Sequence, residues 1–357
     1  MQKHDIPRRI YMIIDNIDKK RKASAKAHQK AVFMMLLLWH LLLPIVGEIE
    51  IIHFVYAKPK STQGQIVFVR KSNGIWIMDA DGKNEKQLTN EKDWNPSWSS
   101  DGKQIAFSRD IGDDRRIYII DADGSNIKQL TEGSYDDYPS WLPDKNRIGF
   151  TREVWEQNNG NWEQKSGDIF IIDSDGSNLQ KLTESPPFFG CDAHWSPNGK
   201  EIVYFILSLS NPNQIWIMDA DGKNQKMLNN WGQNPAWSPD GEKIAFGSEK
   251  DGMNMGGTFD IYIMDADGSN VKIITAPGIS TEDQPVWSPD GAKIAFASNQ
   301  DGNWEIYTMD TNADNMQQLT NTPSIEMQPD WTSFSYVVKP IGKLNSTWGN
   351  MKIKSNK

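Results

Sequence analysis

The sequence predicts an all-β chain, a six-bladed β-propeller built of four-stranded antiparallel blades. Three observations carry that expectation. One ten-residue unit recurs six times, a second unit interleaves with it, and the composition is rich in aromatic and turn-forming residues. Of 357 residues, 15 are Trp, 27 Gly and 18 Pro, a mixture suited to short strands joined by tight turns. With 38% hydrophobic and 24% charged residues, the chain is globular rather than disordered or many times membrane-spanning.

The second unit supplies two strands of each blade. It reads NPSWSSDGKQIAF from Asn95, YPSWLPDKNRIGF from Tyr138, DAHWSPNGKEIVY from Asp192, NPAWSPDGEKIAF from Asn234 and QPVWSPDGAKIAF from Gln284. We denote its Pro-x-Trp segment strand a and its Ile-Ala-Phe segment strand b. Between them Ser-Pro-Asp-Gly is a turn, with Pro presetting φ and Gly taking the positive φ. The six Trp residues of this unit, repeating with the blade, are expected in the core.

The first unit supplies strand c. It reads IWIMDADGKN from Ile75 and returns from Ile117, Ile169, Ile215, Ile261 and, degraded, Ile306, at steps of 42, 52, 46, 46 and 45 residues. Its residues are apolar on both faces, as a sheet stacked between two others requires. Asp-Ala-Asp-Gly then makes a tight hairpin into strand d, which ends in Leu-Thr at Leu88-Thr89, Leu130-Thr131 and Leu182-Thr183. Four strands in about 45 residues make one propeller blade.

The ring closes by sharing a blade between the two ends of the repeat region. A sixth strand a, QPDW from Gln328 to Trp331, lacks its strand b, while an orphan strand GQIVFV stands at residues 64–69. Strand a of blade one therefore comes from the C-terminal end, and its strands b, c and d from the N-terminal end.

This pattern, P-x-W-S-P-D-G-x-x-I-A-F followed by I-Y-x-M-D-x-D-G and L-T, resembles the repeat of the TolB-type β-propellers of bacterial envelopes. The resemblance spans about residues 64–334 and implies a propeller. A signal-like segment precedes it here, rather than the α/β domain that precedes the propeller in TolB, so the Tol–Pal role is not carried over whole. Related propellers also precede serine peptidases, but no Gly-x-Ser-x-Gly is present.

Outside the propeller we expect a signal peptide or membrane anchor at residues 1–57, a linker at 58–63 and a basic tail at 335–357. Residues 1–30 carry nine Lys/Arg against three Asp/Glu, and the apolar run AVFMMLLLWHLLLPIV follows at 31–46. A basic segment before an apolar one is an export signal, with Ala57 a fitting cleavage position. Continuation through Ile51 to Val55 would make it an uncleaved anchor. Either reading puts the body in the periplasm or outside the cell.

The body itself, residues 58–357, has 29 Lys/Arg against 42 Asp/Glu, which argues against nucleic acid as a partner. Lone Cys191 excludes an intrachain disulfide and a cysteine-clustered metal site. No cofactor motif stands out: counting from Asp79 as an EF-hand loop puts Asn84 where Gly is needed, so the Asp residues read as turn caps. His194 is the one histidine of the propeller, too few for the many-histidine metal site of the manganese-dependent pectate-oligomer lyases, which have similar propellers. It reads as a channel or rim residue, with Asp192 its same-face neighbour.

Function is expected on the face formed by the b–c and d–a loops, which vary between copies, whereas the a–b and c–d turns hardly do. Those loops carry Trp94, Tyr138, Trp155, Trp162, Phe188, Phe189, Trp231 and Trp304. The residues before each Pro-x-Trp segment, Asp93, Asp136, Asp137, Asp192, Glu282, Asp283 and Glu326, should gather around the channel as a negative funnel. The expected function is a non-enzymatic module presenting this face to a protein or peptide partner in the cell envelope. The alternative is a carbohydrate-binding or weakly polysaccharide-active protein using the aromatics as stacking surfaces.

Overall fold

The computed structural model describes residues 64–332 apart from 134, 159–160, 184–188, 208–212, 250–257 and 276–279; for 155–158, 161–166 and 189–191 it describes the backbone alone. The expectations for 1–57, 58–63 and 335–357 lie outside the described residues.

Strands follow the repeat. Blade one takes β1 (Gln65–Arg70), β2 (Ile75–Asp79) and β3 (Lys86–Gln87), and blade two β4 (Asp93–Trp98), β5 (Gln104–Ile111), β6 (Asp114–Asp121) and β7 (Lys128–Gln129). Blade three holds β8 (Asp136–Trp141), β9 (Arg147–Asn158), β10 (Asn161–Asp173) and β11 (Gln180–Lys181), and blade four β12 (Phe189–Trp195), β13 (Glu201–Leu207), β14 (Gln214–Asp219) and β15 (Lys226–Asn229). Blade five comprises β16 (Gln233–Trp237), β17 (Lys243–Glu249), β18 (Phe259–Asp265) and β19 (Lys272–Ile273). Blade six comprises β20 (Glu282–Trp287), β21 (Lys293–Ser298), β22 (Glu305–Asp310) and β23 (Gln317–Gln318), and β24 (Glu326–Thr332) returns to pair with β1. Blade one thus has the order β24-β1-β2-β3, the closure that the split repeat implies. Neighbouring a strands contact one another from β4 round to β24 and back to β4.

The repeated Trp joins blade to blade. Each one packs on the middle residue of strand b in the preceding blade: Trp98 shares a cluster with Val67, Trp141 with Ala106, Trp237 with Val203, Trp287 with Ala245 and Trp331 with Ala295. In blade three that residue is Gly149, and a Cβ there would stand 1.9 Å from Cη2 of Trp195. Small or β-branched residues at this position set the spacing between blades, since cores pack without slack.

Turns and strand ends explain the remaining repeated residues. Asp79 Oδ2 accepts Nδ2 of Asn84 at 2.6 Å, and Asp81 Oδ1 accepts the Lys83 amide at 3.1 Å. The same Asp–Asn clasp recurs at Asp121–Asn126, Asp173–Asn178, Asp219–Asn224, Asp265–Asn270 and Asp310–Asn315. These carboxylates are turn caps. The Thr of the Leu-Thr signature fastens strand d to strand c. Oγ1 of Thr89, Thr131, Thr183, Thr275 and Thr320 accepts the amide of the first Ile of strand c.

Blade three departs from the expected pattern. Residues read as a long variable b–c loop continue the β9–β10 ladder out to Asn158–Asn161. Alternation in Thr151–Asn158 is imperfect, but neighbouring strands supply each other's hydrogen bonds, which local patterning does not show.

Candidate binding face

Every strand a is interrupted by a bulge. The register of the a–b ladder shifts between Trp94 and Ser97, and at the equivalent place in each other blade. The bulged residue takes the left-handed region: Asn95 at φ 49°, Tyr138 at 52°, Asp192 at 48°, Asn234 at 50°, Gln284 at 57° and Gln328 at 55°. Pro follows in five of the six, and because it has no N–H to give the ladder, the pairing breaks there. Asn and Asp tolerate this conformation, whereas Tyr and Gln are strained in it. Six such residues line a central cavity of about 700 Å³ that runs along the a strands from these bulges to Pro143, Pro197, Pro239 and Pro289 of the a–b turns.

A collar of hydrogen bonds links neighbouring blades at this level. Gln284 Oε1 accepts the Gln328 amide at 2.8 Å, and Gln328 Oε1 accepts the Asn95 amide at 2.9 Å. Asn95 Nδ2 donates to Asp137 Oδ1 at 2.8 Å, and Asn234 Nδ2 donates to Asp283 at 3.0 Å. The fixed amides hold the polar lining in place before any partner arrives, which lowers the ordering cost of binding.

The predicted carboxylates divide into two groups. Asp93, Asp136 and Glu326, at the first position of strand a, are buried and paired with an Arg of strand b of the same blade: Arg109 at 2.6 Å, Arg152 at 2.6 Å and Arg70 at 2.6 Å. Each guanidinium also lies over the rings of strands b and c, as Arg70 does over Trp76 at 4.1 Å. Asp137 is buried too, bonded to Arg115, Ser108 and Asn95. Glu282 is buried against Ser298 at 3.1 Å. None of these five lines the cavity: an Arg within the wall compensates Asp93, Asp136, Asp137 and Glu326, and Glu282 is held by Ser298.

Asp192 and Asp283 do line the cavity, and Asp330 joins them. Asp330 is the middle residue of its Pro-x-Trp segment, two places after the bulge, and so returns to the channel side. That alternation was readable in the sequence. It also places Ser97, His194, Ala236 and Val286 on the lining. Among the described residues the lining contains three carboxylates and one histidine, and neither Lys nor Arg.

Electrostatics follow from that imbalance. Burial raises the pKa of Asp283 and of Asp330 against the hydrogen bonds each accepts, with Asp192 adding to the shift in both. His194 Nε2 meets Asp192 Oδ1 at 2.9 Å. Burial disfavours its charge, but Asp192 and, on the opposite blade, Asp330 outweigh that and raise its pKa.

The loop aromatics described at this face serve the fold. Trp94 Nε1 donates to Asp110 at 3.1 Å, Trp231 stands edge-on to Tyr262 at 4.9 Å, and Trp304 packs against the cluster shared by blades six and one. In blade five Trp231 covers Phe246, the ring that Arg covers in blades one to three. Tyr138 lines the cavity. The side chains of Trp155, Trp162, Phe188, Phe189 and Cys191 lie outside those described.

The family model of the TolB beta propeller domain matches residues 150–339, more than half of the chain. The chain belongs to that family. Its fold is similar to that of solved TolB from Acinetobacter baumannii, at 22% identity and a TM-score of 0.63, over 76% of this chain and 67% of that one. A putative TolB from Agrobacterium tumefaciens is similar at 21% identity and a TM-score of 0.58, over 75% and 92% of the two chains. A propeller in a nidogen/laminin complex shares the fold at 9% identity and a TM-score of 0.59, over 75% and 98%. This TolB beta propeller accordingly shares its architecture with proteins of low sequence identity.

Proposed function

We propose that this TolB beta propeller is a non-enzymatic, extracytoplasmic binding module whose channel and collar receive a basic segment of a protein or peptide partner in the cell envelope. The observation that supports the reading most is the lining itself: Asp192, Asp283 and Asp330 around a cavity of about 700 Å³ with no Lys or Arg among its described residues. Such a site attracts cations, and its attraction weakens with salt. Asp93, Asp136, Asp137, Glu282 and Glu326 contribute as the rigid wall rather than as contacts. The basic and apolar N-terminal segment supports export.

The test uses a fluorescent oligolysine peptide and fluorescence anisotropy. Binding should weaken at least about tenfold in the Asp192→Asn/Asp283→Asn variant, the scale of losing close charge contacts. The same changes at turn residues Asp123 and Asp267 should leave it alone. Equal binding by all three proteins would reject the channel as the site. Recovery of the full-length chain in the cytosolic fraction would reject export.

A further inference from the structure

Two buried carboxyl groups meet at the seam where the ring closes. Glu305 begins β22 of blade six and Glu326 begins the closing strand β24; they are 2% and 0% exposed. Glu305 Oε1 accepts the Thr322 amide at 3.0 Å and Asn303 Nδ2 at 3.3 Å. Glu326 Oε1 accepts Arg70 Nε at 2.6 Å and Thr322 Oγ1 at 2.7 Å. On both residues the other oxygen, Oε2, finds no donor, and Thr322 bonds both carboxyl groups, its amide to Glu305 and its hydroxyl to Glu326, which holds the two side by side. Ionised carboxylates only accept, so this contact is repulsive unless one of them carries a hydrogen. A single shared proton relieves that repulsion and gives the pair a hydrogen to donate.

The surrounding charges favour that state. Arg70, from β1, is the cation bonded to the pair, and it also serves Glu85 at 2.9 Å. Beyond Glu305 stand Asp301 and Tyr307, which donates to Asp301. Arg70 thus divides its charge between Glu326 and the solvent-exposed Glu85, and Glu305 adds a further negative charge beside Glu326.

We propose that Glu305 and Glu326 share one proton, and that this proton latches the closing strand, making ring closure pH-dependent. Burial and the neighbouring Glu305 push Glu326 up to about 7 from 4.5, against the pull of Thr322 and Arg70. The folded state therefore keeps a proton that the unfolded chain has lost. The latch contributes fully below pH 4.5 and fades as the pH rises through about 7.

Urea unfolding of the full chain and of Glu305→Gln, at about pH 5 and about pH 8.5, tests this. Glutamine gives Glu326 a permanent donor. The unfolding constant of the unaltered chain should rise between the two pH values by up to about a hundredfold more than that of the variant. The variant should be the more stable protein at the higher pH. Parallel pH profiles would overturn the proposal. Infrared difference spectra of the unaltered chain give a second reading: a buried protonated carboxyl band should be present near neutral pH and vanish in alkali, and its absence would equally overturn the latch.

Discussion

Arg70 and Glu326 stand 256 residues apart in the chain and 2.6 Å apart in the fold. Their ion pair ties β1 to β24 within the blade that the two ends of the repeat region share. Both side chains are buried, and removing one partner of a buried pair leaves the other charge without compensation. Arg70→Met should cost about 3 kcal/mol in chemical unfolding. Deleting residues from 326 onward should abolish the cooperative transition, because it exposes a sheet face and an unpaired edge. An unchanged transition after the deletion would mean that the ring is held elsewhere.

Gly149 is the one strand-b centre without a Cβ, since the others are Ala or Val. Gly149→Ala should destabilise the protein by about 1–3 kcal/mol, the range for overpacking, because Trp195 occupies the space. The reverse change in blade two, Ala106→Gly, opens a small void and should cost about 1 kcal/mol. Thermal melts of the two variants give the comparison.

Thr320 offers a test of the Leu-Thr signature. Its Oγ1 accepts the buried Ile306 amide at 2.9 Å, and Thr320→Val keeps the shape while removing the acceptor. The expected loss is about 1–3 kcal/mol, the cost of an unsatisfied buried donor. Hydrogen exchange at the Ile306 amide should accelerate in the same variant.

Oligolysine binding should depend on pH with a definite sign. Asp283 and Asp330 have raised pKa values and lose charge earlier on acidification than free carboxylates, while His194, also raised, gains charge. Both changes oppose a cationic ligand, so affinity should fall as the pH drops, first through the His194 titration. His194→Gln should remove that first step and leave the lower one. An affinity that rises on acidification would contradict the site.

The amino-acid sequence by itself determined the blades, their number, their strand order and the shared closing blade. Each of those rests on local signals repeated with a fixed period: Pro-x-Trp, Ile-Ala-Phe, Asp-x-Asp-Gly and Leu-Thr. It also held the alternation that puts His194 and Asp330 on the same lining. What only the tertiary structure decided was which acids face the channel. A bulge in every strand a resets the two-residue alternation, so Asp93 and Asn95 cannot be assigned to faces by counting. Partners from other strands then settle the charge. Asp137 meets Arg115 from the hairpin of blade two, whereas Asp283, at the same position in blade six, meets only the amides of Gln233 and Asn234 from blade five among its side-chain partners. A guanidinium cancels a carboxylate and an amide merely orients it, and which of the two arrives depends on the neighbouring blade.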